Sequence, residues 1–402
     1  MKSVITKFEN ETIKRNELSK KEWEELLEAF RLKDSDSINL SSNVGLIAFS
    51  SGRFLEILPK IYRGNREEEV EEGRRLLTFL FIELLNLNKF SNIGIKGVPN
   101  FSIPFIELIT LYTFYYIEKK IVQPGVYKSY IRKEVITKNL SGRLLLSKTL
   151  TKLPFQKEKV FIEKEIFTPN IKVNRILLEL SEFALKKFKF KKLRNLASKV
   201  ALYLKDIGVE KETRLKESLS ALKLNRMNQH YAPAIELSKL LLLSGKGTSG
   251  KGGATSILLY PMENLFEKFI ASILPNAEIQ KTFSVGKSFV LKPDILIKNT
   301  VLDTKWKVLN DYSKSRDDRF QVITYIYLLE KKFGKKVEKG VLIYPEVEGE
   351  ELSWDLGEGK ELKILNLEMS KLLTSVDKKL PLDRQITEFK KKLQKKFERL
   401  IF

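Results

Sequence analysis

The sequence predicts a mixed α/β (α+β) fold in two parts. Residues 1–167 form a strand-rich N-terminal half with helices, and residues 168–402 a helical region leading into an α/β core. Three observations predict it. Short β-branched runs bounded by Gly, Pro and Asn are frequent in the first half, and the pattern turns helical beyond Phe167. The stretch Phe289–Lys307 reads as a β-hairpin, two apolar runs around the polar break Lys298-Asn299-Thr300. That hairpin lies between two helical segments, one opening at Met262 and the other carrying Asp317 to Tyr325.

Taken in order, Met1–Asn10 reads as an opening strand, and Ser19-Lys20-Lys21-Glu22 as a capping box before a helix over Lys20–Arg31. Val44–Ser50 and Phe54–Ile61 are strands joined by Ser51-Gly52. Pro59 marks an edge or a strand end. Arg66–Leu85 and Pro104–Lys119 are helical by periodicity, and Pro124-Gly125 is a turn. Lys128–Thr137, Arg143–Thr149 and Lys159–Phe167 alternate like strands. A long helical region is expected over Ile176–Tyr203, and another helix over Tyr231–Leu243. The single His230 fills a loop before Tyr231. Gly245 to Lys251 satisfies part of a phosphate-loop pattern, but residue 252 is Gly, so the hydroxyl that would hold Mg²⁺ is missing, and no strand precedes it. Residues 244–253 therefore read as a surface loop.

The hairpin carries the chemistry. A two-residue turn at Lys298-Asn299 pairs Ile297 with Thr300 and sets Asp294 opposite Asp303. Directly opposed Cβ atoms lie about 5 Å apart, where like charges repel. A divalent cation held by these two hard carboxylates, with Lys305 beside it, would resolve that repulsion. The alternative is an ordinary amphipathic hairpin with a solvated charged face. Gln321 and Tyr325, four apart, share one helical face. Upstream, Leu265, Phe266 and Phe269 would pack inward, so that Glu267 reaches the metal as a third carboxylate. With no Cys and one His, oxygen ligands favour Mg²⁺ or Mn²⁺ over Zn²⁺.

Composition points to the partner. The chain has 73 Lys+Arg against 51 Asp+Glu, a formal charge of +22, which suits a polyanion. Lys187, Lys191, Lys192 and Arg194, interleaved with Phe188, Phe190 and Leu193, read either as a track for DNA phosphates or as a solvated helix face. The Lys-rich tail Phe389–Phe402 has the same two readings. No signal peptide is expected at Met1–Glu11, and the apolar runs Leu76–Leu87 and Ile103–Ile117, interrupted by Glu83 and Glu107, are short for a membrane span. A soluble, cytoplasmic protein is the expectation.

Pro293-Asp294…Asp303-Thr304-Lys305, with Gln321-X-X-X-Tyr325 behind it, resembles the PD-(D/E)XK nucleases of the RecB-like branch. Most of the chain resembles the McrC family, the nuclease subunits of McrBC-type modification-dependent restriction systems. The marks are Val44-Gly45-Leu46-Ile47, Ile57-Leu58-Pro59-Lys60-Ile61, Tyr130, Ser141-Gly142-Arg143-Leu144, Asn174-Arg175-Ile176-Leu177 and Leu265-Phe266-Glu267. Ser141 departs from the pattern, where such proteins often carry Arg. The resemblance implies that residues 1–167 dock on a hexameric McrB-like AAA+ GTPase and stimulate it. The partner reads modified double-stranded DNA, and the C-terminal half, a restriction-endonuclease-like domain, cuts it. It implies that Asp294, Asp303, Lys305, Gln321 and Tyr325 form the catalytic set, with Asp294, Asp303 and Glu267 on the metal. Two rivals stand beside this reading: a non-catalytic DNA-bridging regulator of an AAA+ NTPase, and a stand-alone RecB-like nuclease. Pairing of nuclease domains to cut both strands is left open.

Overall fold

A computed structural model describes residues 4–61, 64–84, 101–156, 158–242, 256–285, 289–348 and 351–401. The loop expected over residues 244–253 lies outside them. The chain divides into two units, one built from Met1–Ile109 with Ser244–Phe402 and the other from Thr110–Leu243. The break expected between residues 167 and 168 therefore falls inside the second unit.

Long-range pairing in the first unit explains why its N- and C-terminal parts belong together. Strand Val4–Phe8 runs parallel to Phe54–Leu58, and Asn43–Ala48 pairs antiparallel with Phe54–Leu58 on one side and Ser256–Pro261 on the other. Gly45 makes the last pairing possible: its φ is +133°, and a Cβ there would lie 2.0 Å from the Leu258 carbonyl oxygen. The helix Lys20–Ala29 is capped by the expected Ser19/Glu22 box and buries Trp23 and Leu26 against Ile47, Leu55 and Ile57. In helix Arg66–Leu84, Arg74 pairs with the buried Glu56. The next residue, Arg75, donates to the carbonyls of Leu373 (3.0 Å) and Val376 (2.8 Å) and to Gln385 Oε1 (3.0 Å). A buried guanidinium is tolerable only when its donors are matched, and these partners supply that match.

The second sheet of this unit has six strands. Their order is Glu278–Ile279, Ile295–Ile297, Thr300–Thr304, Lys339–Tyr344, Lys360–Asn366 and Ser353–Gly357. Thr300–Thr304, Lys339–Tyr344 and Lys360–Asn366 are mutually parallel, and helix Arg316–Phe333 crosses between the first two. Val341–Tyr344 is an unbroken buried run, as a strand covered on both faces requires. Gly340 is a notch in this layer. A Cβ there would come within 2.4 Å of Val322 Cγ1 and 2.7 Å of Ile326 Cδ1, so the missing side chain lets the crossover helix settle on the sheet.

In the second unit, Ser129–Thr137 and Val160–Thr168 pair antiparallel over all nine positions, with Arg143–Leu144 as a short third strand. The expected strand Arg143–Thr149 stops at Leu144, and Leu146–Lys152 is a helix whose Thr149 amide donates to the Leu145 carbonyl (2.9 Å). The expected helix over Ile176–Tyr203 is two helices, Lys172–Lys187 and Lys191–Asp206. Phe188 (φ −98°, ψ 147°) and Phe190 (φ −64°, ψ 112°) leave helical geometry, so the chain turns back and Phe188 is buried edge-on to Phe183. No helix among the described residues is long and apolar enough to cross a membrane.

Candidate active site

The hairpin has the register its turn dictates. Ile297 pairs with Thr300, Leu296 with Val301 and Ile295 with Leu302, with Lys298 at φ +50° in the turn. The first strand is shorter than its apolar run, because Pro293 cannot donate to a ladder. Phe289–Leu291 pairs instead with Phe283–Val285, and Asp294 sits one residue before the strand. There its Oδ2 accepts from the Thr304 amide (2.8 Å) and the Thr304 hydroxyl (2.9 Å). Strand alternation gives Thr304 only a packing role; in the structure it fixes the Asp294 carboxylate.

Asp303 is 1% exposed, and its Oδ2 lies 2.7 Å from the Lys305 ammonium. Burial pushes its carboxyl up to about 7; Lys305 pulls the other way, and the Asp294 and Asp318 charges add to the rise. Lys305 itself is raised: burial disfavours its charge, but the opposed Asp303 outweighs it, so it stays an ammonium at neutral pH. A relay behind it sets its direction. Lys305 Nζ donates to Gln321 Oε1 (3.0 Å), Gln321 Nε2 to the Tyr325 hydroxyl (2.8 Å), and Tyr325 to the Lys292 carbonyl (3.2 Å). The helical face predicted for Gln321 and Tyr325 is the one turned to Lys305.

Glu267, on helix Met262–Ile273, is buried between the inward-facing Phe266 and Phe269. Gln280 Nε2 donates to its Oε2 (2.9 Å), and burial, with the Asp294 charge, raises its pKa. Glu267 Oε1 and both Asp303 oxygens are buried without a hydrogen bond, the Lys305 contact being an ion pair off hydrogen-bond geometry. Such atoms are costly to keep, and as hard anionic oxygens they are the donors a divalent cation takes. They do not form a closed cage: among the described residues no three Asp, Glu or His side chains are grouped as a metal site.

Lys187 ends the helix Lys172–Lys187, while Lys191, Lys192 and Arg194 open the next; all four are exposed. They belong to the Thr110–Leu243 unit, whereas the hairpin belongs to the other. The bend between the two helices makes them a cluster around a corner instead of a stripe on one helix.

The profile of the family described as "McrBC 5-methylcytosine restriction system component" matches residues 38–345. Among curated protein sequences none matches. The fold is similar to a chain of the solved Thermococcus gammatolerans assembly of McrB AAA+ hexamers with bound McrC. The TM-score is 0.61 at 20% identity, over 98% of this chain and 99% of that one. A chain of the Thermococcus gammatolerans McrBC complex aligns over 68% of this chain and 87% of its own, at 21% identity and a TM-score of 0.43. At such identities the likeness concerns the fold. The family match spans most of the chain, from the strand-rich first half through the Asp303–Lys305 hairpin and the Gln321–Tyr325 helix: the chain belongs to the McrBC 5-methylcytosine restriction system component family.

Proposed function

We propose that this chain is the nuclease subunit of a McrBC-type restriction complex, a metal-dependent DNA endonuclease that docks on and stimulates an AAA+ GTPase. The observation that carries the reading is the hairpin. Asp303, with two buried oxygens lacking hydrogen bonds, lies against Lys305, and Lys305 is aimed by Gln321 and Tyr325. A bridging protein without chemistry has no use for carboxylates held at this cost.

Asp294, Asp303 and Glu267 would hold Mg²⁺ or Mn²⁺, which supplies Lewis-acid stabilisation of charge on the scissile phosphate. Thr304 holds Asp294 in place, and Gln280 holds Glu267. Lys305 stays protonated beside Asp303, so its work is electrostatic. It presents a fixed positive charge to the phosphorane-like transition state and orients the attacking water.

The Thr110–Leu243 unit supports the docking half of the proposal. Its arm, the three-stranded sheet within residues 129–168 and the segments that connect its strands, displays Phe155 at 96% exposure, Leu140 at 70% and Leu150 at 65%. Large apolar side chains so bare on one arm suit a protein partner. The formal charge of +22 suits modified double-stranded DNA as substrate. The test reconstitutes the chain with its AAA+ partner on methylated DNA and follows strand cleavage and GTP hydrolysis together. Wild type should do both; metal-independent cleavage, or no cleavage at any metal concentration, would overturn the reading.

A further inference from the structure

One tryptophan sits where the candidate site's separate pieces meet. Trp306 directly follows Lys305 and is buried, with its ring edge-on to Phe266 at 5.1 Å. Phe266 is the neighbour of Glu267 in helix Met262–Ile273. Trp306 thus lies between the backbone that carries the ammonium and the helix that carries a carboxylate. Its Nε1 donates to both oxygens of Glu9, at 2.9 and 3.0 Å. Glu9 is 4% exposed and follows the first strand, almost three hundred residues earlier in the chain (|i−j| = 297). It also accepts from the Lys60 amide through Oε1 (2.9 Å), and its own amide donates to the Leu58 carbonyl (2.9 Å), so it is tied to the N-terminal sheet at both ends.

A carboxylate buried this deeply has little reason to exist unless its partners need it. Among the described residues those partners are one backbone amide and one indole, and neither is a cation. An indole held from behind cannot rotate away from Phe266, and the peptide between Lys305 and Trp306 then has a fixed course. The peptide just before it, between Thr304 and Lys305, is held on the sheet side, by the Lys305 amide donating to the Ile343 carbonyl (2.9 Å). We propose that Glu9 is a positioning residue of the nuclease centre: it holds Trp306 as the wedge that sets Lys305 relative to Glu267. The inference rests on the nuclease reading above. It makes the residue after the first strand part of the cutting apparatus, where the family resemblance places residues 1–167 in partner docking. Small misplacements at a reacting centre cost on the order of 100-fold in rate, so a residue that never touches DNA can govern cleavage.

The test measures single-turnover cleavage by the reconstituted complex with Glu9→Ala, Glu9→Gln and Trp306→Phe, beside Ile47→Ala as a truncation elsewhere in the N-terminal sheet. Glu9→Ala should cut about 10-fold or more slowly, with DNA affinity within about twofold of wild type. Glu9→Gln, which keeps one acceptor for the indole, should recover part of the rate. Trp306→Phe keeps an aromatic ring against Phe266 while it removes the donor and part of the indole's volume, so it should follow Glu9→Ala even if that variant folds poorly. Ile47→Ala should lose melting temperature but cut normally. Wild-type cleavage rates in both Glu9→Ala and Trp306→Phe, or an equal rate loss in Ile47→Ala, would overturn the proposal. Lys305→Ala run in parallel separates the two failures. If it is inactive while Glu9→Ala cuts normally, only the positioning role falls; if Lys305→Ala also cuts, the nuclease assignment falls with it.

Discussion

The hairpin and the arm are both built on antiparallel β pairing, and the side chains on and around them are handled in opposite ways. Around the hairpin, Leu296, Val301 and Leu302 are buried, and so are the carboxylates Asp303 and Glu267. On the arm, Phe155, Leu140 and Leu150 face solvent although burial would stabilise them, at about 25 cal/mol per Å². One region hides charge that water would solvate; the other shows apolar surface that a core would take. On the function proposed above, each departs from the stable arrangement in the direction its partner would correct, a cation and phosphodiester for the first and a protein for the second. Function in this chain is legible as misplaced polarity.

The contrast is most vulnerable at Lys305. Removing its ammonium with Lys305→Ala should lower cleavage by about 100-fold or more, in line with losing one transition-state donor. Stimulation of the partner's GTP hydrolysis should persist, because the arm is untouched. Wild-type cutting by this variant would remove the hairpin from the chemistry. The complementary change is Phe155→Ser with Leu140→Ser. It should abolish stimulation in a hydrolysis assay while leaving the melting temperature within about a degree, since exposed substitutions shift stability by under about 0.5 kcal/mol. A large drop in melting temperature would mean that these side chains are covered within the protein.

How much of the fold and the site is readable from sequence follows from the range of each interaction. The hairpin register, the Ser19 cap and the shared face of Gln321 and Tyr325 depend on residues two to four apart, and local periodicity specifies them. The pairing of Asn43–Ala48 with Ser256–Pro261, and Glu9 with Trp306, depends on residues more than two hundred apart, which no window of sequence connects. The boundary expected at residue 167 lies inside the Thr110–Leu243 unit for the same reason. Deleting 1–167 would strip three of the four strands from the first sheet and leave Trp306 without its acceptor, so separating the two activities requires point substitutions. Thr304 is hidden by alternation, since its hydroxyl and its amide both turn to Asp294. The two helices within 172–206 read as one because Phe188 and Phe190 fit an interleaved helical pattern; only the burial of Phe188 explains the break.

Changing the pH probes the hairpin's side of the contrast more gently. The Asp303 carboxyl is raised to about 7 by burial, so its charged form is disfavoured in the fold relative to the unfolded chain. The sign follows. Below the unfolded value near 3.8 the group costs nothing; the cost grows as pH rises and is complete above about 7. Metal-free Asp303→Asn should therefore melt higher than wild type at pH 8. The upper scale is about 1.4 kcal/mol for each pH unit between the folded and unfolded pKa, with the gap closing near pH 4. Mg²⁺ should narrow the gap at pH 8 by stabilising the wild type alone. A gap independent of pH would mean that Asp303 is not held as a strained acid. At the Gly340 notch, Gly340→Ala should cost about 1–3 kcal/mol by overpacking and slow cleavage as the Gln321 helix lifts.

The mildest change belongs to the basic corner. Lys187, Lys191, Lys192 and Arg194 flank the break between two helices, all exposed, so losing their charges should leave stability nearly unchanged. Lys192 has a second role in packing, with its ammonium 5.5 Å from the Tyr115 ring, which Gln would partly keep by its stem. If the corner tracks phosphates, the triple change of Lys187, Lys191 and Lys192 to Gln weakens DNA binding alike on every sequence. It also reduces the slope of log affinity against log salt by about 0.9 for each phosphate no longer neutralised. Affinity alone is a poor discriminator, because lowering a charge of +22 weakens binding to any polyanion at low salt. The slope counts ions released where lysine meets phosphate. A variant with the wild-type slope would make the corner a solvated surface and leave DNA to the unit that carries the hairpin. A slope lowered by the equivalent of two or three phosphates would put DNA on both units, so that one substrate engages the unit that cuts and the unit that bears the arm.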